Sequence, residues 1–311
     1  MRNREKIKIQ TTDVYWRNHE ATSQIIANRG GAGSSKSFSI AQLFLYKFRN
    51  ETGKKFLIVR KSLPSLKLSV LVLFRELLDM TKLTPHIREE RVMLNMNLNN
   101  NLLHFGSVDD PEKLKSTEWN YIWMEEATEF TYDDFVMLKL RLRAPSKDGK
   151  INQLFLSFNP TNEFHWIKEK VLNGTEDAIE IHSTYRDNPF VHPEYKETLE
   201  NLINQDPNYH RIYALGEWGT LENIIFSNWT TVDVIPEGGD VFYGLDFGFV
   251  DPTSMVKLIS HDRIIYAEEL MYQTGLTNSQ LIERLKELIP NKNRPVYADK
   301  AEPARIQEIF R

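Results

Sequence analysis

The stretch Gly30-Gly31-Ala32-Gly33-Ser34-Ser35-Lys36-Ser37 constrains this chain more than any other. It follows the short apolar run Gln24-Ile25-Ile26-Ala27 and opens a pattern in which Ala41, Phe44, Leu45 and Phe48 share one helical face. Strand, glycine loop and helix in that order form a phosphate cradle: small residues let backbone N–H groups turn inward, and the helix N-terminus adds partial positive charge. About ninety residues later, Tyr121-Ile122-Trp123-Met124 is an apolar β-prone run ending in Glu125-Glu126. That is where the carboxyl end of a buried parallel strand meets a nucleotide crevice. Together the two motifs predict an ATP site. Gly30, Gly31, Gly33, Ser34 and Ser35 would wrap the phosphates, and Lys36 would reach the outer ones. Ser37 and Glu125 would hold Mg²⁺, while Glu126 would orient and deprotonate the water that attacks the γ-phosphate. Alone, the first motif also reads as a Gly/Ser turn with an incidental lysine, and the second as a solvated acidic turn. Ser35 stands where the P-loop pattern has glycine, so a Cβ narrows the backbone angles open to the loop.

With 311 residues and 41% hydrophobic side chains, the chain can bury a full core in one large domain or two. Cysteine is absent, which excludes disulfides and thiolate metal sites and fits a reducing compartment. No apolar run approaches membrane-spanning length, and the polar start Met1-Arg2-Asn3-Arg4-Glu5-Lys6 lacks a signal-peptide core, so a cytoplasmic location is expected. Charge is segregated: residues 1–75 carry 15 Lys and Arg against 4 Asp and Glu, and the remainder carries 24 against 39. A basic ATPase half suggests a polyanion partner, with Arg60, Lys61 and Lys67 as candidate phosphate contacts, although linear charge blocks also disperse over folded surfaces.

Strand-like runs near 56–59, 102–106, 121–125, 153–158 and 178–184 alternate with helical patterns, which predicts an α/β fold with a parallel sheet flanked by helices over residues 1–185. Asn188-Pro189, His192-Pro193 and Asp206-Pro207 punctuate residues 186–235, predicting a helical subdomain or linker. Beyond Pro236-Glu237-Gly238-Gly239, residues 236–311 read as a second α/β domain. Val241–Asp246 is a strand ending in an acid, two further runs suggest a meander turning at His261-Asp262, and a helix near 277–289 precedes the strand that delivers Asp299. Glu302 is expected one turn into the next helix. Two carboxylates at strand ends, Asp246 and Asp299, can share divalent cations for two-metal phosphodiester hydrolysis, although any α/β domain offers such acids.

At this point the chain resembles the large subunit of a tailed-phage DNA-packaging terminase. The likeness runs over most of its length, in order, through Gly30–Ser37, Trp123-Met124-Glu125-Glu126-Ala127-Thr128-Glu129-Phe130 and Ser157-Phe158-Asn159-Pro160. It continues through Ser183-Thr184-Tyr185-Arg186-Asp187-Asn188-Pro189-Phe190, Gly216-Glu217-Trp218-Gly219, and Gly244-Leu245-Asp246-Phe247-Gly248 with Asp251-Pro252-Thr253. The resemblance implies an ASCE-type P-loop ATPase that drives double-stranded DNA into a procapsid, followed by an RNase H-like nuclease that cuts concatemers at carboxylates holding Mg²⁺ or Mn²⁺. It makes Glu125 the Walker B acid, Glu126 the catalytic base, Ser157 and Asn159 the coupling motif, and Arg143, ahead of Arg141, an arginine acting on a neighbour's nucleotide. It implies a portal protein and a terminase small subunit as partners, a homo-oligomeric ring on the procapsid formed from subunits that are monomeric in solution, and the cytoplasm of the infected bacterium as the location.

Two departures bear on these expectations. Ala32 occupies a position where the family often has arginine, and Arg29 precedes the glycines instead. The family's nuclease takes further acidic and histidine ligands from a later strand and helix, whereas this sequence ends at Arg311, so a partial nuclease domain with weak or absent DNA cleavage is expected. A RecA-like helicase or other P-loop ATPase would share the first two motifs. A non-hydrolysing module that docks through bound ATP would suit Ser35.

Overall fold

The computed structural model describes residues 9–108, 117–174, 177–220, 230–236, 238–299 and 302–309. The chain divides into two compact units, residues 1–224 and 225–311. Residues 186–220 belong to the first.

The first unit is built on an eight-stranded sheet. Its strands are β1 (Ile25–Gly30), β2 (Lys55–Arg60), β3 (Arg88–Glu90), β4 (Asn95–Leu98), β5 (Asn101–Ser107), β6 (Tyr121–Glu125), β7 (Gln153–Phe158) and β8 (Ala178–Ser183), in the order β3-β4-β5-β2-β6-β7-β1-β8. The six strands from β5 to β8 are parallel. Strands β6 and β7 are buried along their whole length, as continuous apolar runs in a sheet covered on both faces must be. Helices α1 (Asp13–Glu20), α2 (Lys36–Asn50), α3 (Leu63–Leu68) and α4 (Val70–Met80) supply one apolar layer, in which Phe44 packs edge-on against Phe56 and Phe155. Helix α5 (Tyr132–Lys139) and the turn Ile167–Leu172 supply the other, where Phe135 and Ile167 meet Ile122 and Leu156.

The alternation of strands and helices expected from the sequence is present, with one addition. Between α4 and β5 the chain inserts the antiparallel hairpin β3–β4, which caps one edge of the sheet. Its strands are three and four residues long and mostly polar, so they carry no hydrophobic period from which to read them. Strand β7 lies between β1 and β6, two strands far from it in sequence. A single row across the sheet therefore places Asn28, Ser157 and Glu125 side by side. Helix α1 is fastened to β1 beneath this row by a reciprocal amide pair: Asn18 Nδ2 donates to Asn28 Oδ1 at 2.7 Å, and Asn28 Nδ2 returns to Asn18 Oδ1 at 2.8 Å.

Beyond β8, helix α6 (Pro193–Gln205) and the turns Pro207–Tyr209 and His210–Ala214 pack with Tyr185 into a small cluster through Leu199 and Ala214. The second unit is a four-stranded sheet of β9 (Asp240–Asp246), β10 (Thr253–His261), β11 (Ile264–Gln273) and β12 (Val296–Ala298), ordered β11-β10-β9-β12. Its first three strands form an antiparallel meander and β12 runs parallel to β9. Helix α7 (Asn278–Leu288) covers one face, with Leu281 and Leu285 against Tyr243, Leu245 and Met255. The hairpin turn sits at Asp262-Arg263, one residue later than expected, because both take positive φ (50° and 66°) as a two-residue primed turn requires. Glu302 lies just before helix α8 (Pro303–Ile309), not within it, and pairs with Arg305 at 3.3 Å.

Candidate functional site

The carboxyl ends of β1, β7 and β6 meet at one edge of the sheet, and each delivers part of a polar cluster. After β1 the chain makes the glycine loop and enters α2 through Ser35, which adopts the left-handed conformation (φ 65°) that the motif ordinarily assigns to glycine. A hydroxyl network holds this strained residue: Thr12 Oγ1 lies 3.0 Å from Ser35 Oγ and 2.9 Å from Ser39 Oγ. The departure at Ser35 is thus accommodated by residues outside the motif.

The loop is gripped from three sides. Gly31 N–H donates to Ser183 O on β8 at 3.1 Å, and Ala32 N–H donates to Tyr213 O at 2.7 Å. Asn159, just past β7, donates from Nδ2 to Gly30 O at 2.8 Å, and Asn188 donates from Nδ2 to Gly33 O at 2.8 Å. Gly31 cannot be replaced without moving backbone, since a Cβ there would stand 2.5 Å from Tyr213 O. Among the described residues, the buried hydroxyls of Ser34 and Ser183 have no hydrogen-bond partner.

Lys36 and Ser37 open α2 facing the acids. Lys36 is 7% exposed, and its Nζ donates to Gly31 O at 3.1 Å. Burial pushes its ammonium below the ordinary lysine range, against the pull of Glu126 and Glu125. Glu125 is 6% exposed at the end of β6 and accepts hydrogen bonds from the hydroxyls of Ser157 and Ser37. Burial, then the neighbouring Glu126, raise its carboxyl above the usual range, while Ser157, Ser37 and Lys36 oppose the rise. Ser157 is itself oriented by Trp123, whose Nε1 donates to Ser157 Oγ at 2.7 Å. Glu126, the next residue, is held at φ 54°. That is an unfavourable conformation for a side chain with a Cβ, and it turns the second carboxylate out of the strand.

The structure therefore brings together Gly30, Gly31, Gly33, Ser34, Ser35, Lys36, Ser37, Glu125, Glu126, Ser157 and Asn159, from three segments separated in sequence. Chemically, the cluster sets one buried ammonium and the N-terminus of α2 beside two carboxylates, an arrangement suited to a polyphosphate and the cation that accompanies it. Arg143 is not brought to this place within its own chain. The segment containing Arg141 and Arg143 is pinned to Trp119: Trp119 N–H donates to Arg141 O at 2.8 Å, and Ala144 N–H donates to Trp119 O at 3.2 Å. Trp119 precedes Glu125 by six residues, about 20 Å of extended chain, so the exposed Arg143 lies toward the opposite edge of the sheet. Arg29 does not serve the loop either, because it forks onto Glu180 at 2.6 and 3.2 Å and donates to Gly216 O. Of the candidate polyanion contacts, Arg60 is paired with Glu129 at 2.9 Å and Lys61 with Asp134 at 2.7 Å, while Lys67 is exposed.

In the second unit, Asp246 and Asp299 follow the register pair Leu245 and Ala298 on adjacent parallel strands. Strand alternation puts them on one face, a strand spacing of ~4.8 Å apart. Among the described residues no group of three or more His, Asp or Glu side chains is placed to hold a metal. Asn188 and Tyr213 have no role legible in the sequence. Asn188 lies inside a family-like stretch, but nothing in a lone asparagine reveals which carbonyl it will meet.

The pattern of the phage terminase large subunit family matches residues 22–217, nearly two thirds of the chain and the whole of this site. The chain belongs to the phage terminase large subunit family. It is 28% identical over 326 residues to the PBSX phage terminase large subunit of Bacillus subtilis (strain 168), covering 93% of this chain and 73% of that one. It is 27% identical to the terminase large subunit of Bacillus phage SPP1, covering 78% of this chain and 62% of that one. The large terminase of a thermophilic bacteriophage, solved in complex with ADP, has the same fold: TM-score 0.57 at 16% identity, over 97% of this chain and 80% of that one. Terminase large subunits are ATPases, and DNA packaging is the work of a terminase, so the helicase reading is set aside. No helix among the described residues is long and apolar enough to cross a membrane.

Proposed function

We propose that this terminase chain binds and hydrolyses ATP with Mg²⁺ in the crevice between the glycine loop and Glu125-Glu126, and that hydrolysis drives double-stranded DNA into a procapsid. One observation carries the reading. Lys36 and Ser37 from α2 meet Glu125 and Glu126 from β6, with Ser37 hydrogen-bonded to Glu125 and Lys36 electrostatically coupled to both acids. The donor set suits a divalent ion: a buried carboxylate and a hydroxyl already within hydrogen-bond reach of each other, beside a second carboxylate and the Lys36 ammonium. Ser37 and Glu125 would hold Mg²⁺, which when bound supplies charge neutralisation at the outer phosphate oxygens.

The chain's own groups do the rest. Lys36 exchanges its bond to Gly31 O for a phosphate oxygen, which adds a directly bonded anion to the pull that Glu126 and Glu125 already exert on the buried ammonium. Glu126, turned out of the strand by its positive φ, orients the attacking water and takes its proton. Ser157 and Asn159 sit on one strand and just past its end, yet touch different halves of the site, Glu125 and Gly30 O respectively. A change at the acids can thus shift β7 and tug the loop, which is the physical content of coupling. Arg143 acts between subunits: far from its own crevice, it reaches the nucleotide of a neighbour in a homo-oligomeric ring on the portal, formed from subunits monomeric in solution. A terminase small subunit completes the partners, and the host cytoplasm is the setting.

Residues 236–311 are read as an RNase H-like nuclease module in which Asp246 and Asp299 hold Mg²⁺ or Mn²⁺. Among the described residues these two carboxylates fall short of a full two-metal set. For the ATPase, the test compares wild type with Glu126→Gln. Nucleotide binding should persist while DNA-stimulated turnover falls on the order of 10²-fold or more. Equal turnover in both proteins removes Glu126 as the base. Negligible turnover in both, with DNA and portal present and binding intact, favours a non-hydrolysing docking module.

A further inference from the structure

The phosphate chain has two ends, and the site distinguishes them. Glu125 and Glu126 mark the terminal-phosphate end, on the β6 side, where they meet Lys36 and Ser37. The nucleoside must leave from the other end of the chain.

At Gly33 a different set of side chains closes on the loop. Asn188 clasps Gly33 O at 2.8 Å while its own Oδ1 accepts Phe190 N–H at 3.0 Å, so the turn after β8 is locked to the loop. Gly33 (φ 70°) has its open side against Val191 and Tyr195: a Cβ there would lie 3.1 Å from Val191 Cγ2 and 3.2 Å from Tyr195 Cε1. Tyr195 stands in the first turn of α6, yet it is 44% exposed. Aromatic rings of this size ordinarily bury most of their surface. Here one is presented to solvent in contact with the loop that holds the phosphates.

We propose that Tyr195 is the platform on which the nucleobase of the bound triphosphate stacks. The inference rests on the reading of the glycine loop as the triphosphate site and adds the subsite for the base. Stacking needs an exposed ring face within reach of the nucleoside, held by rigid backbone. The Asn188 clasp and the Pro193 start of α6 supply that rigidity. Edge-reading groups are not required: the Asn188 amide is already engaged on both sides, so the contribution comes from ring contact and is tolerant of base identity.

The experiment measures the affinity of the full chain for a slowly hydrolysed ATP analogue and for inorganic tripolyphosphate, in wild type, Tyr195→Ala and Tyr195→Phe. Stacking of one base on one ring predicts about a tenfold weaker analogue affinity for Tyr195→Ala. Tripolyphosphate affinity should be unchanged in that variant, and Tyr195→Phe should behave as wild type. Unchanged analogue affinity in Tyr195→Ala overturns the proposal, and so does an equal loss for both ligands, which would mean that the ring only shapes the loop. Wild-type protein that binds neither ligand overturns the triphosphate reading itself, a separate outcome. Because Tyr195 is exposed, both variants should fold, and Tyr195→Phe serves as the control.

Discussion

Ser157→Ala tests the polar core of the site most directly, because one hydroxyl there serves two buried partners. Ser157 is 1% exposed, donates to Glu125 and accepts from Trp123 Nε1 at 2.7 Å. Removing it takes from a buried carboxylate one of its two hydroxyl donors, a charge-assisted bond worth about 1.5–3 kcal/mol. It also orphans the indole N–H of a fully buried tryptophan, at about 1–3 kcal/mol. Taken as non-additive, the two give a loss of roughly 3–4 kcal/mol at neutral pH, or about a 10 °C lower unfolding midpoint for a unit of this size. The pH dependence follows from Glu125. Its carboxyl is raised in the folded protein, and Ser157 opposes that rise by stabilising the ionised form, so the mutant raises it further. The carboxylate part of the deficit is therefore present at pH values above the raised carboxyl range. It fades on acidification as Glu125 protonates in both proteins, while the Trp123 part persists. Thermal unfolding followed by circular dichroism between pH 5 and 8, repeated in a Trp123→Phe background, separates the two. A cost of Ser157→Ala under about 0.5 kcal/mol, or one left unchanged by the Trp123→Phe background, would refute the double role of this hydroxyl.

Two further outcomes are expected. Arg143→Ala should leave nucleotide binding and turnover of the isolated chain within about twofold of wild type, and lower turnover at least about tenfold only in portal-assembled rings; a loss in the isolated chain would contradict action between subunits. Asp246→Asn and Asp299→Asn should each weaken Mn²⁺ binding by the full chain, followed by calorimetry. Mn²⁺ affinity left unchanged by both substitutions would remove these two carboxylates as metal ligands.

Much of the site could be read from the chain because its parts are local. A glycine loop between a strand and a helix, and an apolar run ending in two acids, are patterns complete within about ten residues. Their spatial meeting is a common solution for an α/β sheet. The hairpin β3–β4 escaped that reading because short polar strands carry no period, and the turn falls one residue late, at Asp262-Arg263, because polar His261 still pairs with Ile264 at the end of β10. Asn188, Tyr195 and Tyr213 escaped for a different reason: their importance lies in which loop atoms they meet, over more than 150 residues of sequence.

The order of residues by itself determined which apolar runs became strands, where the glycine loop and the two acids would lie on them, and the family to which the chain belongs. Each of these depends on periodicity and on the backbone freedom of a few adjacent positions. Tertiary structure alone decided that β7 would separate β1 from β6, so that one serine serves Glu125 while one asparagine holds the glycine loop. It also decided that Arg143 would sit about a strand's length from its own crevice, and that Ser35 would be held in a left-handed conformation by a threonine from before α1. Such adjacencies are set by how whole layers pack to bury their apolar faces, and that packing is a property of the assembled sheet rather than of any segment within it.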